Sequence, residues 1–255
     1  PVKMASMNAV ILSIGDELVL GQTVDTNAAW LSARLAERGI ATAYHLTIAD
    51  DRAAIAEAFA QAADRADLVI ATGGLGPTED DLTRFALADV LGTELVEDAE
   101  AITSIETFFA RLDRSMSPRN RVQAMCPRGA RMLSNIAGTA PGLATRIGEA
   151  EVFCVPGVPR EMRQLWADHI APALPAHAGR AIRTATIHTF GLGESDVAGL
   201  LGELMARDRN PTVGTTVSEG IVSARIRSVS ASPDEATTQL DSIAEQVCRA
   251  LGNLV

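Results

Sequence analysis

Apolar runs and helical repeats alternate along the first part of this 255-residue chain. Residues 9–14 and 67–71 are short and apolar enough to form buried strands, and residues 41–48 have a weaker strand pattern. Asp50 or Asp51 is placed to cap the helix that follows the weaker strand. The helices predicted between and after these strands cover residues 27–38, 51–65 and 82–91. This alternation is typical of parallel strands joined by crossover helices.

The second half of the chain contains shorter elements. Up to residue 174, the pattern predicts helices over 99–112, 118–125 and 161–174, and strands over 131–133, 143–147 and 152–155. We interpret residues 175–179 as a linker, after which the predicted elements are strands 182–190, 212–217 and 221–229 and helices 194–207 and 234–251. We therefore predict a disordered leader (1–7), an α/β domain (8–175) and a small α+β domain (180–255).

The composition of the chain limits the kinds of molecule that the protein is expected to bind and the compartment in which it is expected to occur. The formal net charge is −10 and the sequence pI is near 4.9, so the long-range field repels nucleic acid and anionic membranes. No apolar stretch approaches the length of a membrane span. The three cysteines are far apart and form no Cys-x-x-Cys pair, which indicates a reducing compartment, and we expect a cytoplasmic protein.

The third predicted strand ends in a glycine-rich turn followed by paired acids, Thr72-Gly73-Gly74-Leu75-Gly76-Pro77-Thr78-Glu79-Asp80-Asp81. Glycines leave room for a ligand to approach the main chain, and backbone N–H groups at such a turn bind phosphate. Asp80 and Asp81 are suited to hold a magnesium ion, so the segment predicts a phosphate ligand bound through a metal. The alternative is an ordinary turn whose acids complement the dipole of the following helix. The turn has neither the P-loop nor the dinucleotide-binding spacing.

Other candidates follow the ends of other strands. Because ligands bind at the carboxyl ends of strands in open parallel sheets, we expect Gly15, Asp16, Glu17 and Asn27 to share a crevice with the glycine turn. For Asn27, as for Asp25 and Thr26, a helix-capping role is at least as strong an alternative. Two further turns supply candidate anion-binding backbone, namely Gly138, Thr139, Ala140, Pro141 and Gly142 in one, and Pro156 and Gly157 in the other. A plain β-turn is the alternative for the first of these.

Taken in order, several motifs resemble the competence/damage-inducible protein A (CinA) family. They are Ser-Ile-Gly-Asp-Glu-Leu, Asp-Thr-Asn-Ala, the glycine turn, Gly-Thr-Ala-Pro-Gly, Val-Pro-Gly-Val-Pro-Arg-Glu-Met and Phe-Gly-Leu-Gly-Glu-Ser. The first part is similar to the molybdopterin-binding domain shared with molybdenum cofactor assembly enzymes. The resemblance implies a three-layer α/β/α fold with a mostly parallel sheet, and a pterin or nucleotide site at the glycine turn.

The resemblance also implies functions. In the cofactor-assembly relatives the aspartate that matches Asp81 is tied to magnesium-dependent chemistry, and their motif has Thr where this chain has Leu75. Some CinA-like proteins are described as metal-dependent pyrophosphatases of ADP-ribose-type nucleotides. Longer members continue into a domain with nicotinamide-nucleotide deamidase activity. We do not assign that activity to this sequence.

We therefore expect a hydrolase in which Asp81, with Asp80 or Asp16, holds Mg²⁺, Mn²⁺ or Co²⁺ and the glycines bind the phosphates of ADP-ribose. The first alternative is a non-catalytic molybdopterin-binding or molybdenum cofactor biosynthesis protein, and the second is a regulatory protein that keeps only the fold. We also expect a homo-oligomer, as is common among the relatives, and a separate deamidase is a candidate partner.

Overall fold

The computed structural model describes residues 7–175 and 180–255. These residues divide into two compact units, one made of residues 7–34 and 41–175 and the other of residues 35–40 and 180–255. Apart from Met7 and Pro175, the predicted leader and linker lie outside the described residues. The predicted domain limits, 8–175 and 180–255, stay predictions.

The first unit contains a six-stranded sheet, a separate two-stranded ribbon and the helices between them. Its strands are β1 (Asn8–Ile14), β2 (Ala41–Ile48), β3 (Leu68–Thr72), β4 (Leu95–Glu97), β5 (Met125–Pro127), β6 (Arg131–Leu133), β7 (Gly142–Ile147) and β8 (Ala150–Val155). Its helices are α1 (Asp16–Val19), α2 (Thr26–Glu37), α3 (Arg52–Ala63), α4 (Thr83–Leu91), α5 (Ala99–Arg111), α6 (Pro159–Leu165) and α7 (Ala171–Ala173), with a 3₁₀ segment at Pro118–Ala124 and a π-helical turn at Trp166–Ile170. In this unit the hydrophobic pattern predicted the longer elements to within two residues. The helix predicted over 118–125 is a 3₁₀ segment, and the helix predicted over 161–174 is interrupted by the π-helical turn. The pattern missed α1, β4 and β5, which are too short to show a period.

The six strands lie in the order β2-β1-β3-β8-β7-β6. β1 is parallel to β2 and to β3, and β3 is parallel to β8, whereas β7 and β6 run antiparallel to their neighbours. A mostly parallel sheet is therefore confirmed. β3 is buried at every residue, which explains why its sequence is a continuous apolar run rather than an alternating one.

Both faces of this sheet are covered. On one face Val10, Leu12, Val69 and Cys154 pack in a single cluster with Ile55 and Phe59 of α3 and Leu87 of α4. On the other face Ile11, Ile70 and Phe153 are equally buried, as are Leu31 of α2 and Met162 of α6. Trp30 and Trp166 meet edge to face at 5.9 Å between ring centroids, which joins α2 to the helical segment after α6. The expected three-layer α/β/α arrangement is confirmed.

The second unit is a three-stranded antiparallel sheet with helices. It contains β9 (Ala181–Thr189), α8 (Glu194–Leu201), a 3₁₀ turn (Gly202–Met205), β10 (Thr212–Ser218), β11 (Ile221–Ser230), α9 (Pro233–Leu251) and a final 3₁₀ turn (Gly252–Leu254). The strand order is β10-β11-β9, and Ile243 and Val247 of α9 pack on Ala224 and Ile226 of β11. The small α+β unit is confirmed, but the helix predicted over 194–207 ends at Leu201 and is followed by the 3₁₀ turn. None of the helices within residues 7–175 and 180–255 is long and apolar enough to cross a bilayer.

The three cysteines differ in their exposure. Cys126 and Cys154 are buried, and burial raises their pKa values to about 11 and about 12, whereas Cys248 is exposed on α9. Since the thiolate is the reactive form, we expect a disulfide reagent such as Ellman's reagent at pH 8 to modify about one thiol per native chain and all three after denaturation. A Cys248→Ser variant should show almost no fast reaction. Rapid modification of two or more thiols in the native protein would contradict this assignment.

Candidate functional site

The carboxyl ends of β1, β3 and β8 meet at Gly73. The Gly73 N–H donates to the Val155 carbonyl at 3.0 Å, and a Cβ atom on Gly73 would lie 2.1 Å from the Ile14 carbonyl oxygen. A Cβ atom on Gly157 would lie 3.5 Å from the Gly73 Cα. Gly73 has φ 106, a backbone conformation that other residues rarely adopt. The three strand ends therefore approach closely because position 73 is glycine.

A cleft of about 440 Å³ opens at this edge of the sheet, within the size range of small-molecule sites. Most of the predicted site residues line it, namely Gly15, Glu17, Gly73, Gly74, Leu75, Gly76, Asp80, Asp81, Thr139, Ala140, Pro156 and Gly157. Residues that the sequence analysis did not select for the site also line it, namely Ile14, Asp50, Pro77, Gln123, Val158 and Glu161. The strand ends therefore converge on one cleft, as expected.

Asp81 holds the glycine turn closed. Its Oδ1 accepts from the Gly76 N–H at 2.6 Å, and its Oδ2 accepts from the Thr78 N–H at 2.8 Å and from the Thr78 hydroxyl. The Gly73 and Gly76 N–H groups are therefore occupied within the protein and are not free to bind phosphate as the sequence suggested. Among the described residues, the N–H groups of Gly74 and Leu75 have no hydrogen-bond partner in the protein.

Five acidic residues line the cleft, namely Glu17, Asp50, Asp80, Asp81 and Glu161. Asp81 is hydrogen-bonded to the glycine turn and Glu161 to the Asn135 amide. Burial raises the pKa of Asp50, and repulsion from Asp16, Glu17 and Asp80 raises it further, while a hydrogen bond from the Asp16 N–H opposes both. The Thr78 side chain and the backbone N–H of Asp80 itself lower the pKa of Asp80, so this carboxyl is ionised at neutral pH. The cleft thus concentrates negative charge that a cation would relieve.

The predicted metal pair, Asp16 and Asp81, does not converge on the cleft in the expected way. Asp16 Oδ1 accepts from the Asp50 N–H at 3.1 Å, and Asp81 uses both oxygens on the glycine turn. Within the described ranges, no group of three or more His, Cys, Asp or Glu side chains has the arrangement of a metal site. Asp16 is therefore not among the residues that line the cleft, and Asp81 lines it with both oxygens already hydrogen-bonded.

Asn27 lies beside the cleft in a smaller cavity of about 120 Å³ that Thr72 and Gly157 also line. Its Nδ2 donates to Thr72 Oγ1 at 3.1 Å and to the Gly157 carbonyl at 2.7 Å, which ties α2 to the ends of β3 and β8. Its Oδ1 is buried and has no partner among the described residues. The capping role belongs to Asp25, whose Oδ1 accepts from the Ala28 N–H at 2.9 Å.

At the start of the turn at residues 135–142, the backbone N–H groups are not free to bind an anion. Asn135 Oδ1 accepts from the N–H groups of Ala137 and Gly138 at 2.9 and 3.1 Å. Gly142 belongs to β7, where an added Cβ would lie 2.7 Å from the Cys154 carbonyl oxygen. Gly138, Thr139 and Pro141 also line a second cavity of about 290 Å³, beside α5.

Arg84 supports the glycine turn from the inside of the protein. Its side chain is fully buried, with Nη1 donating to the Gln123 and Met125 carbonyls at 3.0 and 3.1 Å and Nη2 to the Leu75 carbonyl. Burial lowers the pKa of Arg84 to about 10, an effect that nearby Asp81 opposes, so the side chain stays charged at neutral pH.

Comparison with known proteins agrees with this architecture. Residues 10–176 match the family model described as a probable molybdopterin binding domain, and residues 184–255 match the damage-inducible protein CinA KH domain. The crystal structure of the protein CinA from Thermoplasma acidophilum is 34% identical, with a TM-score of 0.62, over 66% of this chain and 99% of that one. This chain belongs to the CinA family. The resemblance read from the motifs is confirmed.

Two CinA-like proteins show how far the similarity extends. The one from Deinococcus radiodurans is 41% identical over 94% of this chain, and the one from Geobacter metallireducens is 39% identical over 98%. The chain spans about 60% of the length of these curated relatives. Every residue that lines the cleft of this CinA-family chain lies inside the segment that matches the molybdopterin-binding model.

Sequence reasoning missed Asp50, Gln123 and Glu161 in this CinA-family cleft. Asp50 follows the end of β2, so the strand-end rule that selected Gly15 and Gly73 would also have selected it. Gln123 sits in a 3₁₀ segment and Glu161 in the first turn of α6, and their chain positions alone give no comparable signal.

Proposed function

We propose that the cleft binds a nucleotide pyrophosphate of the ADP-ribose type and hydrolyses it with the help of a divalent cation. The observation that carries this proposal is that the glycine turn and five acidic residues line one cleft. We assign the cation to Glu17, Asp50 and Asp80, because Asp81 binds the glycine turn and Glu161 binds Asn135. An amide-lined turn suits phosphate oxygens, and adjacent carboxylates suit a hard cation.

The charge of the cleft supports a role for the cation. None of the residues that line it is lysine or arginine. A pyrophosphate in the cleft would lie near the carboxylates of Asp50 and Asp80. Only backbone N–H groups, such as those of Gly74 and Leu75, would offset its negative charge. Its binding therefore requires a counter-charge that the lining side chains do not supply.

The donor atoms in the cleft suit magnesium, manganese or cobalt. No three acids among the described residues are arranged as a metal site, so phosphate and water oxygens would complete the coordination. Glu17, Asp50 and Asp80 offer only oxygen atoms, the ligands that hard divalent ions prefer. Such an ion, when bound, polarises a phosphoryl group and lowers the pKa of a coordinated water. In this assignment Asp81 orders the turn that carries the free amides, and Asn27 holds the ends of β3 and β8 in place.

The second candidate function is non-catalytic molybdopterin binding or a step of molybdenum cofactor biosynthesis. The match to the probable molybdopterin binding domain favours it, because molybdopterin carries a phosphate ester that the same turn can bind. A homo-oligomer, a separate deamidase partner and a cytoplasmic setting also belong to the proposal and remain predictions.

Release of AMP from ADP-ribose with added Mg²⁺, Mn²⁺ or Co²⁺ tests the hydrolase. We expect Asp50→Asn to lower metal-dependent turnover by roughly tenfold or more, because it removes one of the three cleft carboxylates to which we assign the cation. Glu149→Gln, which changes an exposed acid in the turn between β7 and β8, should stay within about twofold of the wild type. If no metal supports turnover while a pterin binds, the second candidate replaces the first.

A further inference from the structure

Glu161 is a cleft residue whose carboxylate is fixed by a neighbouring amide. Asn135 Nδ2 donates to Glu161 Oε2 at 2.6 Å and to the Ala140 carbonyl at 2.9 Å. Because Asn135 Oδ1 accepts from two backbone N–H groups at the start of the same turn, the amide cannot flip without losing these bonds. Glu161 therefore meets a donor in a set orientation.

Gly138 provides the space for this carboxylate. An added Cβ at position 138 would lie 2.2 Å from Glu161 Cδ and from Oε2. The neighbouring cation, Arg160, donates from Nη2 to the Ala137 carbonyl at 3.0 Å. The turn at residues 135–140 and the first turn of α6 thus form one preorganised unit with Glu161 between them.

The lone pairs of Glu161 that Asn135 does not use limit which ligand groups this side chain can bind. An ionised carboxylate only accepts hydrogen bonds and has about four lone-pair sites, of which Asn135 uses one. Direct contact with a phosphate is unfavourable, because the two groups carry like charge and both accept hydrogen bonds. Burial raises the pKa of Glu161, and the Asn135 hydrogen bond and the charge of Arg160 both oppose this, so a further donor would stabilise the ionised form of this half-buried group.

We propose that Glu161 recognises the uncharged part of the ligand by accepting hydrogen bonds from a pair of adjacent donors. The proposal deepens, and rests on, the proposed function: the glycine turn binds the phosphates and Glu161 selects the group attached to them. Two ligand groups carry such paired donors, the adjacent hydroxyls of a ribose and the amino-lactam edge of a pterin. A carboxylate that binds ribose hydroxyls is a general device in nucleotide sites.

Isothermal titration calorimetry on the full chain with magnesium tests the assignment. Each ADP-ribose probe carries a methylene group in place of the bridging pyrophosphate oxygen, so that it is not hydrolysed during the titration. The probes are this ADP-ribose, its analogues that lack the 2′-hydroxyl on either ribose, and pterin-6-carboxylate. We expect Glu161→Gln to weaken binding of ADP-ribose about tenfold or more and to weaken one deoxy analogue less than about threefold. Asp168→Asn is the matched control, because Asp168 is an exposed acid in the helical segment directly after α6 and pairs with Gln164. It should bind every probe like the wild type.

Selectivity separates recognition from a structural role. A Glu161→Gln chain that merely folds worse would lose affinity for all probes alike and unfold at lower temperature. Loss confined to the ribose probes assigns the ribose, and loss confined to the pterin assigns the pterin edge. Equal affinity of wild type and variant for every probe, or no binding by the wild type, overturns the inference. If binding depends on Glu161 but no turnover is seen, the hydrolase proposal is rejected and the Glu161 assignment stands. If the wild type turns over ADP-ribose but Glu161→Gln binds every probe equally well, the hydrolase proposal stands and the Glu161 assignment is rejected.

Discussion

Gly73→Ala is expected to remove ligand binding in the cleft and to lower the free energy of unfolding of the first unit by about 2–4 kcal/mol. The new methyl group would lie 2.1 Å from the Ile14 carbonyl oxygen, at a residue with φ 106. Either β1 and β3 separate at their ends or the turn moves, and both shift the Gly74 and Leu75 amides. A displacement of about 1 Å at such a site costs about a hundredfold in binding or rate.

Gly148→Ala is the matched control for this variant. Gly148 also has positive φ, 57, but nothing lies within 4 Å of an added Cβ. It should cost only about 1–2 kcal/mol from backbone strain and leave ligand affinity unchanged. Urea unfolding and ADP-ribose titration of both variants measure the two effects. If Gly73→Ala binds ADP-ribose as tightly as Gly148→Ala, the close approach at Gly73 does not build the site.

The fold was largely predictable because its central strands are buried on both faces. β1 and β3 read as continuous apolar runs, and the helices between them show a clear period, so parallel pairing follows. β4 and β5 have three residues each, and α1 has four. Elements of that length depend on the contacts around them rather than on their own pattern.

The site was predictable in position but not in detail. The strand-end rule brings Gly15, Gly73 and Gly157 together, as the structure has them. It cannot tell which way a carboxylate points. Asp81 lines the cleft but turns both oxygens onto its own loop. Glu17 also lines the cleft, whereas adjacent Asp16 accepts from the Asp50 N–H. These choices follow from hydrogen bonds that form only in the folded chain.

Arg84→Met is expected to lower the free energy of unfolding of the first unit by about 3–5 kcal/mol, measured by urea unfolding. The substitution keeps much of the buried volume but removes the donors to three carbonyls, those of Leu75, Gln123 and Met125. It also leaves the Asp81 carboxylate without its nearby cation. The glycine turn should loosen, so ADP-ribose affinity should fall along with stability.

Two further variants show whether buried hydrogen bonding causes this loss. Arg84→Lys keeps the charge but cannot reach three carbonyls with one ammonium group, so its stability should lie between those of the wild type and Arg84→Met. Arg128→Met removes an exposed arginine that pairs with Glu94 at 2.6 Å and should cost less than about 1 kcal/mol, because surface ion pairs contribute little. An Arg84→Met chain as stable as Arg128→Met would mean that the three carbonyls find other donors, and that Arg84 does not support the turn.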